Sequence, residues 1–290
     1  MKKSFLKKIA VMSVALTFVV GSFSGTSSSV ANAATPLKGK IVVAGSTALL
    51  PLTLQAANEF KKLNPQVSIA AAGAGSITGP QSVTKGSSQI GACDWDATTD
   101  VPDFKAFSGL VANKVAVIPF ATIVNDNVKV DNLTTEQLQG IFTGKYTNWK
   151  QVGGQDANII VVNRAFGSGT RVNYQMKALG GKKTTKLSSN YKEVSSSGTM
   201  FSAVSTTPNS IGYIDLVYVK SGVKALKYNG VAATTANVIN KTYPVWAYGY
   251  YLTKGQPTGA TKAFIDYVKS AKFQQGSLKN MKFIPISSMK

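Results

Sequence analysis

The sequence predicts an α/β fold in two lobes, and three observations carry that prediction. Short apolar strands alternate with helical stretches along the chain. Three of those strands lead into small, hydroxyl-bearing turns that open helices. Two longer apolar runs, 114–124 and 243–252, are placed as crossings between lobes.

Taken in order, the chain opens with Lys2, Lys3, Lys7 and Lys8, an apolar stretch from Ile9 to Val20, and a small, Ser-rich region ending in Ala31-Asn32-Ala33. This is the pattern of a secretory signal peptide over 1–33, cleaved after Ala33. Its apolar core is too short to span a bilayer. Lys40–Ala44 then reads as a strand, Gly45-Ser46-Thr47-Ala48 as a turn, and 49–63 as a helix with Leu49, Leu52, Ala56, Phe60 and Leu63 on one face. Asn64-Pro65 stops it. A second strand, Val67–Ala72, meets a second small turn, Gly73–Pro80, whose proline suits the first turn of a helix.

Further on, Asn132–Phe142 has helical spacing, with Leu133, Leu138, Ile141 and Phe142 facing inward. Trp149 reads as a packing residue, and Trp246, Tyr248, Tyr250 and Tyr251 as core of a hinge strand. Thr261–Lys272 is a further helix with Ala263, Phe264, Tyr267 and Val268 on one face, packed back on the first lobe. If both long runs cross between lobes, lobe 1 takes 38–118 plus 248–290 and lobe 2 takes 119–247. A two-stranded hinge joining two such lobes is the layout of a closing clamp.

The third strand–turn–helix unit is the most telling. Ile159–Asn163 is a strand, Arg164-Ala165-Phe166-Gly167-Ser168-Gly169-Thr170-Arg171 follows it, and Val172, Met176 and Leu179 mark one face of a helix. Small residues let the backbone approach an anion, helix N–H groups point at it, and an arginine adds a two-pronged donor. A nucleotide-binding loop would need Gly-Lys-Ser/Thr, which does not occur here, and Val172 stands where the dinucleotide fingerprint needs a glycine. Three such units could present three helix N-termini to one anion.

Composition removes several alternatives. Histidine is absent, which excludes Ser-His-Asp and Cys-His catalysis and most zinc sites. Acidic residues are few and scattered, so neither a metal site nor a cofactor is expected. Cys93 is the single cysteine: it allows no internal disulfide, and it lies too far from Ala33 to carry a lipid. Lys and Arg outnumber Asp and Glu 32 to 12 without a basic run, which suits anions in general better than nucleic acid.

In order along the mature chain, several segments resemble the substrate-binding proteins of high-affinity phosphate ABC transporters, of the type common in Gram-positive bacteria. They are Gly45-Ser46-Thr47-Ala48-Leu49, Gly73–Gly79, Gln89-Ile90-Gly91-Ala92-Cys93-Asp94, Lys114-Val115-Ala116-Val117, Asn132-Leu133-Thr134, Ile141–Trp149, Asn163-Arg164 and Gly167–Arg171. The resemblance implies a two-lobed, Venus-flytrap fold of the type 2 periplasmic-binding-protein class. It implies a non-enzymatic receptor that binds inorganic phosphate without metal, works as a monomer and hands its ligand to a membrane permease. The lipid-bearing cysteine of the family is missing here, so this chain is expected to be secreted and not lipid-anchored. The family's ligand-binding residues are matched by Thr47, Ala48, Ser76 and Asp94, and from the opposite lobe by Arg164, Ser168, Gly169 and Thr170. Two positions depart from the family pattern inside these motifs: Cys93 replaces a serine, and Ile77 follows Ser76 where a small residue is usual.

Asp94 also has a reading of its own. Phosphate near neutral pH carries a P–OH that a carboxylate can accept, whereas sulfate carries none. The competing role for Asp94 is a turn cap. Receptors for sulfate or molybdate, and a wall adhesin using the basic surface, are the alternative functions.

Overall fold

The computed structural model describes residues 36–186 and 189–289. The expected signal peptide lies outside the described residues. Residues 36–290 cluster as one compact unit.

The elements alternate as expected. β1 (Gly39–Gly45), α1 (Leu50–Leu63), β2 (Val67–Gly73), α2 (Thr78–Thr84) and β3 (Ile90–Cys93) come first, followed by the long β4 (Leu110–Asn125). Then come β5 (Asn132–Leu133), α3 (Thr135–Thr143), β6 (Ile160–Arg164), α4 (Gly169–Lys177), β7 (Tyr191–Val194), α5 (Ser197–Thr206) and β8 (Ser210–Asp215). Last come β9 (Val223–Ala225), β10 (Lys227–Tyr228), α6 (Thr235–Ile239), β11 (Trp246–Lys254), α7 (Gly259–Lys269) and the short α8 (Ala271–Phe273).

Among the described residues one nine-stranded sheet runs β2-β1-β3-β11-β4-β8-β6-β7, with β9 also on β4. β4 serves two sets of neighbours in turn. Its first ten residues, Leu110–Pro119, pair antiparallel with β11, and Phe120–Val124 pair antiparallel with β8. β1, β2 and β3 are mutually parallel, as are β6, β7 and β8. Because β3 runs with β4 and β8 against it, the C-terminal ends of β3 and β8 point toward each other. Loops outside the carboxyl ends of strands are where α/β sheets bind ligands.

Local chemistry accounts for several departures from the expected elements. Thr134 accepts from Gln137 N–H and the Gln137 side chain returns a bond to the Thr134 N–H, so a capping box starts α3 at Thr135 and leaves Leu133 in a short strand. Leu63, the last residue of α1, is 57% exposed, whereas Leu49, Leu52, Ala56 and Phe60 of the same stripe are buried. Of the stripe expected along α4, Val172 and Leu179 are buried, but Met176 is exposed and Tyr174 is buried in addition. Tyr174 stacks on Tyr213 at 4.1 Å between ring centres and shares a hydrogen bond with Thr122 at 2.6 Å. β4 is longer than its apolar run suggested, and β11 starts only at Trp246. Within β11, Tyr251 is fully buried against Phe264, whereas Trp246 and Tyr248 are half-buried and line an open cleft. Trp149 is fully buried and donates its indole N–H to Asn209 O, a packing role as read.

Candidate functional site

The residues delivered at and past the ends of β1, β2, β3 and β6 meet in one buried polar cluster. Thr47, Ala48, Ser76, Asp94, Arg164, Ser168 and Thr170 are each 5% exposed or less. Gly169 is buried with them.

Asp94 sits just past β3, and strand alternation sends its side chain opposite to that of Cys93. Cys93 packs with Trp95, Val172, Tyr250 and Leu252, and burial pushes its thiol well up. The departure from serine at that position therefore faces the core and leaves the polar cluster unchanged. Ser46 Oγ donates to Asp94 Oδ1 in a short hydrogen bond, and Thr170 Oγ1 donates to Oδ2 at 3.5 Å. The Asp94 N–H donates to Ser76 Oγ at 3.2 Å. Burial raises the Asp94 carboxyl above its ordinary range, while Ser46, Arg164, Ser76 and Thr170 pull it back. The carboxylate thus spans two loops, and no cap of its own turn accounts for it.

Arg164 ends β6 and is 1% exposed. Its Nη2 donates to Thr47 Oγ1 and to Ser195 O, both at 3.1 Å, and its Nη1 donates to Ser197 Oγ at 3.3 Å and Thr170 Oγ1 at 3.5 Å. Its Nε is buried with no partner. A guanidinium surrounded by hydroxyls, with one donor unspent, has the chemistry to receive an oxyanion.

Two of the expected ligand groups also make bonds within their own turns. The Ala48 N–H is directed at Ser46 Oγ, 3.1 Å away, so that hydroxyl tethers the turn before α1. Ser168 Oγ accepts from Arg171 N–H and caps α4, which keeps its O–H proton available. Gly169 lets the two sides approach: a Cβ there would run into Ser76 Oγ and come within 2.7 Å of Asp94 Oδ2. Ile77 lies outside the cluster. Its N–H donates to Gly167 O at 3.0 Å, and its side chain lies against Gly167.

Other contacts join the same two halves of the sheet. Tyr218 donates to Thr47 O at 3.0 Å, Asn173 donates to Asp94 O at 2.8 Å, and Lys183 pairs with Asp103 at 2.8 Å. Phe104 and the exposed Phe166 place their rings 4.8 Å apart at the rim.

The sequence reading missed Ser197 and Asp215. Ser197 opens α5 from the run Ser195-Ser196-Ser197-Gly198-Thr199, a fourth turn with the same grammar as the other three. Its N–H donates to Thr47 Oγ1 at 3.1 Å, and its Oγ donates to Asp215 Oδ2 at 3.0 Å. Asp215 ends an apolar strand as Asp94 follows one, and that parallel was the available signal.

A model of the PBP superfamily domain matches residues 30–272. The phosphate-binding protein PstS of Bacillus subtilis is 38% identical over 254 residues, 87% of this chain and 82% of that one. The chain belongs to the PBP superfamily, in its PstS phosphate-binding protein family. A crystal structure from Clostridium perfringens, described as a phosphate ABC transporter substrate-binding protein with bound phosphate, is 35% identical. It superposes with a TM-score of 0.78 over 86% of this chain and all of that one. An ABC-type phosphate transport receptor from Vibrio cholerae is 29% identical, with a TM-score of 0.67 over 84% of this chain and 99% of that one. The fold is that of the type 2 periplasmic binding proteins, as these family members have it.

Proposed function

We propose that this protein binds inorganic phosphate outside the cytoplasm and delivers it to the permease of a phosphate ABC transporter, with no catalytic step. The observation that carries the reading is the buried pairing of Asp94 and Arg164 through one hydroxyl network. Arg164, Thr47, Ser76, Thr170 and the start of α4 supply positive or donor groups. Asp94 is an acceptor among them, which only a protonated oxyanion satisfies. Sulfate would bring two acceptors into buried contact, and sites of this type reject such an analogue by about 10⁴-fold or more. Family membership supports the same ligand and the same transporter class.

In this reading Thr47, Ala48, Ser76 and Asp94 bind from lobe 1, residues 38–118 plus 248–290. Arg164, Ser168, Gly169 and Thr170 bind from lobe 2, residues 119–247. The lobes close about β4 and the start of β11, and the protein acts as a secreted monomer cleaved after Ala33. No helix among the described residues is long and apolar enough to cross a membrane.

Isothermal titration of the chain from residue 34 with phosphate, sulfate and molybdate tests the reading. Tight binding of phosphate alone is expected; preference for sulfate or molybdate would overturn it.

A further inference from the structure

Asp215 has no part in the ligand set just described, yet it is fully buried at the edge of that set. Its Oδ2 accepts from Ser197 Oγ at 3.0 Å, and its Oδ1 has no partner. Ser197 is the link to the site, since its Oγ lies 3.2 Å from Thr47 Oγ1 and 3.3 Å from Arg164 Nη1. The charged groups facing this corner are Asp94 beyond β3, Arg164 at the end of β6, and the Tyr218 hydroxyl after β8. One guanidinium therefore stands against two buried carboxyls and an incoming anion. An ionised Asp215 would leave a buried charged oxygen without a donor, a costly arrangement. A neutral acid at the same place would donate its proton to Ser197 Oγ and leave only a carbonyl oxygen unpaired.

We propose that Asp215, acting through Ser197, is a positioning residue of the anion site that serves as a neutral acid, and that its ionisation opposes ligand binding. Two effects follow from the proton. A neutral Asp215 donates to Ser197, so the Ser197 hydroxyl can turn its own hydrogen toward Thr47 or the ligand. An ionised Asp215 accepts only, claims that hydrogen, and adds a second negative charge beside Asp94. The proposal rests on the reading that the ligand is phosphate. Burial, with Asp94 nearby, pushes the Asp215 carboxyl up to about 8, which puts the transition within reach of a binding assay.

The test is phosphate titration of wild type and Asp215→Asn at about pH 7 and about pH 9. The amide keeps the shape and cannot ionise, and the ratio of the two dissociation constants cancels the ligand's own protonation. With a transition at about 8, wild type should weaken by about tenfold relative to Asp215→Asn between those two values. A ratio constant within about twofold overturns the proposal. Should the variant fail to fold, wild type alone carries the test. Binding at about pH 9, read in buffers of different ionisation enthalpy, should take up close to one proton, and zero uptake overturns the proposal. Failure of wild type to bind phosphate at about pH 7 would instead sink the functional reading itself.

Discussion

Replacing Asp94 by asparagine should collapse discrimination between phosphate and sulfate. The carboxylate receives Ser46 on Oδ1 and Thr170 at the long distance of 3.5 Å on Oδ2, so its second oxygen keeps capacity for a ligand proton. Asparagine keeps the shape and exchanges one acceptor for a donor. Phosphate would lose a hydrogen bond to a charged acceptor, about 1.5–3 kcal/mol, or roughly 10- to 150-fold. Sulfate would lose a like-charge contact. At 3 Å and an effective dielectric of about 20 that contact opposes binding by about 5 kcal/mol, and relieving half of it is worth close to a hundredfold. The phosphate-to-sulfate affinity ratio should therefore shrink by about 10³ to 10⁴. Titration of both anions into wild type and Asp94→Asn measures it, with melting temperatures alongside. A preserved ratio with a lowered melting temperature would return Asp94 to the role of a turn cap.

Three further outcomes are expected. Arg164→Ala should weaken phosphate by about 2–5 kcal/mol, at least thirtyfold in titration, because it strips the cluster of its buried cation; unchanged affinity would place the site elsewhere. Gly169→Ala should force α4 away from Ser76 and Asp94, costing about 1–3 kcal/mol of stability in denaturant melts and weakening phosphate at least tenfold; a variant equal to wild type in both would show that the close approach is unimportant. Asp215 holds its proton in the fold up to about 8, whereas the unfolded chain releases it near the ordinary aspartate value, so its contribution to stability is full below about pH 4 and fades as pH rises toward 8. Across that window the loss is on the order of 5 kcal/mol, so the melting temperature of Asp215→Asn should gain steadily on wild type from about pH 5 to about pH 8, and a flat difference would contradict the burial argument.

Much of this architecture was legible in the sequence because its signals are local. The apolar runs at 40–44, 67–72 and 159–163 became strands within a residue or two, and each glycine–hydroxyl turn sits at a strand end in the fold. The run 114–124 was legible as strand for the same reason, and it is buried from Val115 onward. What failed depended on partners distant in the chain. On α4, Met176 is exposed while Tyr174 is buried by stacking on Tyr213, and no periodicity within α4 could announce that. Leu133 fits a helical stripe, but the Thr134–Gln137 capping box overrides it. In the cluster, Arg164 and Asp94 were legible as charges beside small turns. Ser197 and Asp215 were not singled out, because a serine run and a strand-end aspartate gain meaning only once β8 lies beside β6 and α5 faces Thr47.

A crystal structure of the phosphate complex tests the account most directly. It should place one phosphate oxygen within hydrogen-bond distance of the Arg164 guanidinium and another within that distance of Asp94 Oδ2, with Thr47, Ser76 and the start of α4 completing the shell. Phosphate density away from Arg164 and Asp94 would contradict the account.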